Sequence, residues 1–91
     1  MYKPKPIDTS SVILSDDIVN LIELISRNIH ENWSENKIKD GWVWGEELDA
    51  TKKTHPSITE YENLSEEEKN YDRTTVTETI KTLIKMGYNI N

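Results

Sequence analysis

A small, mainly α-helical domain is what this sequence predicts, with two principal amphipathic helices packed together and a short β or extended segment between them. Three observations carry that expectation. Apolar residues recur at spacings of three and four over Asp16–Trp33, and again over Arg73–Met86. Trp42-Val43-Trp44, bracketed by Gly41 and Gly45, is too short for a helix and strongly β-prone. The 91 residues are only 34% hydrophobic, which allows one domain, residues 1–91, with a lean core.

Residues 1–14 read as an extended arm. Pro4 and Pro6 favour extended backbone and forbid helix, while Ile7, Val12, Ile13 and Leu14 offer apolar contacts to the body. Asp8-Thr9-Ser10-Ser11 is a turn-like polar cluster. Ser15 then suits an N-cap, with Asp16 and Asp17 at the positive end of a helix dipole. Ile18, Leu21, Ile22, Ile25, Ile29 and Trp33 form one apolar face, opposite Asn20, Glu23, Arg27 and Glu31. The helix is expected to run from about Asp16 to Trp33 or slightly further, with Gly41 as the stop.

In the Trp42–Trp44 segment, residues two apart in a strand point the same way, so both indoles are expected on one face. Glu46 to Thr51 suggests a single helical turn, Lys52 to Pro56 a loop, and Ile58 to Tyr61 a second short β or irregular segment. Ser65 with Glu68 makes a capping box, so a short helix is expected to about Tyr71, with Asp72 capping a further one. That last helix carries Val76, Ile80, Leu83 and Ile84 on one face. Five threonines, at 74, 75, 77, 79 and 82, make it intrinsically poor, so packing must hold it. Gly87 is a fitting terminator.

Composition excludes several function classes. The net charge of −6, from 17 acidic and 11 basic residues, argues against non-specific nucleic-acid binding and against an anionic membrane surface. No cysteine is present, which removes disulfides and thiolate chemistry. No apolar run approaches the ~20 residues of a membrane span, and Met1 to Pro6 lacks the apolar core of a secretion signal, so a cytoplasmic protein is expected.

The chemistry-bearing residues cluster between Gly41 and Arg73. The tryptophans at 33, 42 and 44 each remove on the order of 150–250 Å² from water if buried, several kcal/mol apiece, so all three serve as core or at least one stays open for stacking. Trp44 is the better platform of the three, since Trp33 and Trp42 have helix-end neighbours. Arg73 beside Asp72 is either a structural ion pair at a helix junction or a fork for phosphate, with Lys52 and Lys53 in reach of the same anion. His55, held extended by Pro56, locks a turn or donates to an anion. Trp42, Trp44, Lys53, His55, Tyr61, Tyr71 and Arg73 are therefore the candidate ligand-binding residues. His30 and His55 have no carboxylate at ligand spacing, so no metal and no cofactor are expected. Glu46, Glu47 and Asp49 imitate an acid–base pair, but without a nucleophile motif or a Gly-rich phosphate loop they read as a solvated face, and no enzyme is expected.

The ordered set of motifs resembles the RyR domain, the repeat module of ryanodine receptors. The arm Tyr2, Pro4, Pro6, Ile7, Asp8, Thr9 is similar to that family's entry segment, and His30 with Asn32-Trp33 to the end of its first long helix. Gly41-Trp42, Gly45-Glu46, Asp49, Lys53, His55-Pro56 and Tyr61 are similar to its central segment. Leu64, Glu68, Lys69, Tyr71-Asp72-Arg73, Glu78-Thr79, Lys81-Thr82-Leu83 and Gly87-Tyr88 are similar to its closing helices, so the resemblance spans residues 2–88. In the animal channels these repeats come in tandem pairs, which implies that a single copy pairs with a second chain as a homodimer. Bacterial and phage copies look like ligand-sensing parts of nucleotide-signalling and defence systems. Together with the aromatic and cationic residues above, the resemblance implies a non-enzymatic module that binds an adenine-nucleotide or ADP-ribose-type molecule, for sensing or for sequestration in a phage-defence setting. The alternative is a protein-interaction or scaffold module with no small ligand.

Overall fold

The computed structural model describes residues 1–91. Two long helices, α1 (Asp16–Lys39) and α2 (Glu66–Lys85), pack against each other, and a short ribbon with one 3-10 turn (Tyr61–Asn63) connects them. The Glu23–Arg73 pair and the shared cleft of His30 with Glu68 and Asp72 show that the helices run antiparallel.

Helix α1 begins where its capping signals place it. The Ser15 hydroxyl accepts from the Ile18 N–H, and Asp16 and Asp17 fill the first turn. It continues six residues past Trp33, through the polar stretch to Lys39. Local interactions support this extension. Lys39 pairs with Glu35 one turn back at 3.1 Å, Lys37 and Lys39 sit at the negative end of the dipole, and the Lys37 ammonium lies 4.7 Å from the Trp42 ring centroid. Gly41, at φ +91°, reverses the chain.

The expected short helix and its successor are one continuous helix, so Asp72 lies inside α2 and caps nothing. No Gly or Pro interrupts the run, and Arg73 ties back to Glu66 and Asn70 across the expected break, at 2.9 and 2.7 Å. The capping box at its start is present, with the Glu68 N–H donating to the Ser65 hydroxyl at 3.1 Å.

Strand β1 (Val43–Trp44) pairs in parallel with β2 (Thr54–His55), Val43 opposite Thr54 and Trp44 opposite His55. The second strand therefore falls in the expected loop, not at Ile58–Tyr61, where the chain passes into the 3-10 turn. Glu46–Thr51 forms bends and turns instead of a helical turn, because Asp49 and Thr54 exchange both backbone hydrogen bonds at 3.0 Å. Lys53, at φ 55°, turns the chain into β2.

The arm, residues 1–14, carries no helix or strand and turns at Ser10–Ser11. Thr9 is buried, and its hydroxyl donates to Glu78 on α2 at 2.7 Å. Its exit is held by Asn91, whose side chain accepts from the Ser15 N–H and donates to the Ile13 carbonyl. The buried apolar side chains are Ile58, Tyr61, Leu64 and Val76, joined by Ser26 and His30 of α1. The core thus lies where the connecting segment covers the helix pair. No helix is long and apolar enough to cross a membrane.

Candidate functional site

A cleft of about 260 Å³ opens where α1, α2 and the segment after β2 meet. Helix α1 supplies Ile29, His30 and Trp33, one turn apart on its inner side. Helix α2 supplies Glu68, Tyr71 and Asp72, and the connection supplies His55, Ser57 and Leu64.

Rings form a ladder along one wall. His30 and Trp33 stack at 5.7 Å with 25° between their planes. Trp33 meets His55 edge-on at 5.0 Å, and Trp42 stands behind His55 at 6.3 Å. The two imidazoles are fixed by opposite nitrogens. His30 Nε2 lies 2.7 Å from the Thr59 carbonyl, so that nitrogen carries hydrogen and donates. His55 Nδ1 accepts from the Ser57 N–H at 3.0 Å, so its proton sits on Nε2, where no protein acceptor takes it.

The other wall is acidic. The Ser57 hydroxyl donates to Glu68, and this bond, with a second from Ser65, holds the Glu68 carboxyl below the usual carboxylate range against the opposing effect of burial. Burial pushes the Asp72 carboxyl up, opposed by the nearby His30 and assisted by Glu68. Tyr71 is 70% exposed at the rim. No three His, Cys, Asp or Glu side chains converge in a geometry that holds a metal ion.

Of the seven residues singled out in the sequence, His55 and Tyr71 line this cleft, and Trp42 supports it from behind. Trp44 lies elsewhere. It is 55% exposed while Trp42 is half-buried, so the two indoles do not share an environment; strand geometry begins only at Val43. Tyr61 is 2% exposed, and its hydroxyl donates to Glu23 at 3.3 Å. Lys53 donates to the Asp40 carbonyl at 2.8 Å. Arg73 grips both carboxylate oxygens of Glu23 through Nε and Nη2 and reaches Glu66 through Nη1, which holds the guanidinium firmly protonated. It does not pair with Asp72, since adjacent helical residues point about 100° apart.

His30, Trp33, Glu68 and Asp72 complete the cleft, although the sequence reading placed none of them in a ligand site. A signal for them existed. His30 and Trp33 are spaced three apart on α1, and Glu68 and Asp72 four apart on α2, so each pair shares a helical face. The family model of the RyR domain matches residues 2–91, essentially the whole chain, and with the two packed helices and the aromatic connection in place this protein belongs to the RyR domain family.

Proposed function

We propose that this RyR domain is a non-catalytic module that binds the base of an adenine nucleotide or ADP-ribose-type molecule in the aromatic cleft, with the phosphates directed outward. One observation carries the reading: a free donor, His55 Nε2–H, and a carboxylate acceptor, Asp72, line the same ring-walled cleft. Adenine presents the complementary pair on one edge, an acceptor ring nitrogen beside the exocyclic amine. Trp33 and Tyr71 supply surfaces against which a base can stack. The Glu68 and Asp72 carboxylates repel a phosphate from the interior, so the nucleotide enters base first. Support for binding without chemistry comes from Ser57, whose hydroxyl donates to Glu68 and not to an imidazole, unlike an activated nucleophile. Such a module serves sensing or sequestration, because the ligand leaves unaltered.

A thermal-shift panel tests this. Adenosine, AMP and ADP-ribose at 100 times their dissociation constants are expected to add about 2.7 kcal/mol of stability. Inosine, which replaces the amine by a carbonyl, is expected to bind more weakly by roughly 1–3 kcal/mol, because it leaves a carboxylate unpaired. No shift with any adenosine compound, or an equal shift with ribose 5-phosphate, would sink the proposal. A second reading, a protein-interaction module, rests on the apolar tip formed by Val43, Trp44 and Leu48, exposed by 56%, 55% and 64%. It gains if the whole panel is silent.

A further inference from the structure

Of the eleven lysine and arginine residues, one stands against the rings of the cleft with no oxygen to hold its charge. Arg27, Lys39, Lys69 and Arg73 are ion-paired, and Lys53 donates to the Asp40 carbonyl. Lys81 lies beside the arm with Pro6 to Ser10. Lys37 differs from all of these. It sits on α1 one turn beyond Trp33, its ammonium 6.0 Å from the Trp33 ring centroid and 4.7 Å from that of Trp42. The side chain is half-buried, yet its ammonium makes neither an ion pair nor a hydrogen bond. The two rings supply part of the attraction that a counter-ion would. They leave its N–H donors unclaimed by any oxygen.

Trp33 forms part of the cleft wall and Trp42 stands behind His55, so Lys37 closes the end of the ring ladder just outside the lining residues. The opposite rim carries the other sign. Tyr71 shares a surface groove with Glu67, which has no cationic partner, and Glu68 and Asp72 line the interior. An anion at the mouth is therefore repelled from the α2 side and attracted to the α1 side. Lys37 lies one helical turn, about 5.4 Å of rise, beyond Trp33. A ribose bridges a gap of that order between its base and its 5′ oxygen.

Resting on the base-binding reading above, we infer that Lys37 is the residue that takes the 5′-phosphate of a nucleotide whose base lies in the cleft, and so selects nucleotides over nucleosides. Arg73 and Lys53 are committed to Glu23, Glu66 and the Asp40 carbonyl, whereas Lys37 reaches an anion without giving up an oxygen partner. The phosphate receives charge-assisted hydrogen bonds from the ammonium while the aliphatic stem stays on the tryptophan rings. The acidic interior and the cationic end then act together: the first keeps the phosphate out of the cleft, and the second fixes which way it leaves.

Titration calorimetry of the full chain with adenosine and with AMP tests this. The parent is expected to bind AMP roughly tenfold more tightly than adenosine, the worth of one hydrogen bond to a charged group. Lys37→Met keeps the stem on the rings but removes the charge. It is expected to bind adenosine as the parent does and to lose the AMP advantage, while Lys37→Arg keeps both. A lysine that merely held the fold would weaken the two ligands together and leave their ratio unchanged. Should Lys37→Met fail to fold, Lys37→Gln is the second neutral variant, and the parent's own ratio still decides. Equal affinities for AMP and adenosine in the parent, or a folded neutral variant that retains the AMP advantage, overturns the inference and leaves the base-binding reading standing. Silence toward both ligands overturns the two together.

Discussion

Gly45→Ala is the most informative single change in the ribbon. A Cβ built on Gly45 falls 2.6 Å from Thr54 Cβ and 2.9 Å from its Cγ2, where ordinary contact begins at 3.4 Å. Thr54 Cβ is fixed to the β2 backbone, so rotating the side chain relieves nothing, and the strand must retreat by about 0.8 Å. That movement strains several bonds at once. Thr54 exchanges backbone hydrogen bonds with Asp49 at 3.0 Å, its hydroxyl donates to the Glu47 carbonyl at 2.8 Å, and the Gly45 N–H donates to the His55 carbonyl at 3.4 Å. Overpacking of this kind costs about 1–3 kcal/mol, and each kcal/mol lowers the melting temperature of so small a domain by roughly 4–8 °C. The other two glycines provide controls. Gly41 and Gly87 have φ of +91° and +101° but no steric conflict, so alanine there costs only the left-handed strain, about 1 kcal/mol. Calorimetry and denaturant midpoints on all three variants are expected to rank Gly45→Ala lowest. His55 follows Thr54 directly, so adenosine affinity is expected to fall as well. Gly45→Ala melting at or above Gly41→Ala would refute the steric argument.

Tyr71→Ala removes a rim side chain that is 70% exposed, so stability is expected to stay within about 0.5 kcal/mol while adenosine binding by calorimetry weakens by roughly 1–3 kcal/mol. Acid sensitivity follows from Glu23 and Glu66, whose carboxyls are held below the usual range chiefly by hydrogen bonds from Arg73. The unfolded chain binds more protons than the fold in that window, so stability is expected to rise with pH between about 3 and 5 and to be lost on acidification. Denaturant midpoints across pH check this, and Arg73→Met is expected to flatten the slope.

Much of this architecture was legible because it depends on local chemistry. The Ser15 and Ser65 caps and the Gly41 stop act within a turn or two of chain, and the structure places each of them as read, while the two amphipathic periods fall within helices longer than the periods themselves. What escaped depends on pairing between distant segments. The break expected at Asp72 was a plausible local cap, but the Glu23 carboxylate, fifty residues away, holds Arg73 in the middle of a continuous helix. Strand β2 was hidden because two residues between Lys53 and Pro56 are too short a run to show a strand pattern, and their extended backbone is set by partners at Val43 and Asp49. The cleft was half legible. His55 and Tyr71 stand out as rare residue types in a turn-rich stretch, whereas His30 and Asp72 acquire a role only once the helices cross.

The distribution of the cations bears on which end of a ligand the proposed site would take. Read along the chain, Arg73 and Lys53 invite a phosphate. In the fold, Arg73 braces α2 to α1 through Glu23, and Arg27 pairs with Glu62 of the 3-10 turn. Lys53 closes on the Asp40 carbonyl, and Lys69 lies over the Tyr61 ring at 5.6 Å while reaching Glu66. The Arg73, Arg27 and Lys69 contacts surround Tyr61 and fasten the connecting segment to the helix pair, a task that a core of four buried apolar residues leaves to polar groups. Freeing Arg73 for a phosphate would release two carboxylates and the brace together. The cleft, by contrast, keeps its hydrogen-bonding groups available: an unclaimed imidazole N–H and a carboxylate that burial makes costly to ionise. Such a pair rewards a neutral partner that both accepts and donates, and it penalises an anion. On the nucleotide reading proposed above, specificity is expected to follow from the base and its amine, with the phosphates contributing least where the sequence alone made them look most important.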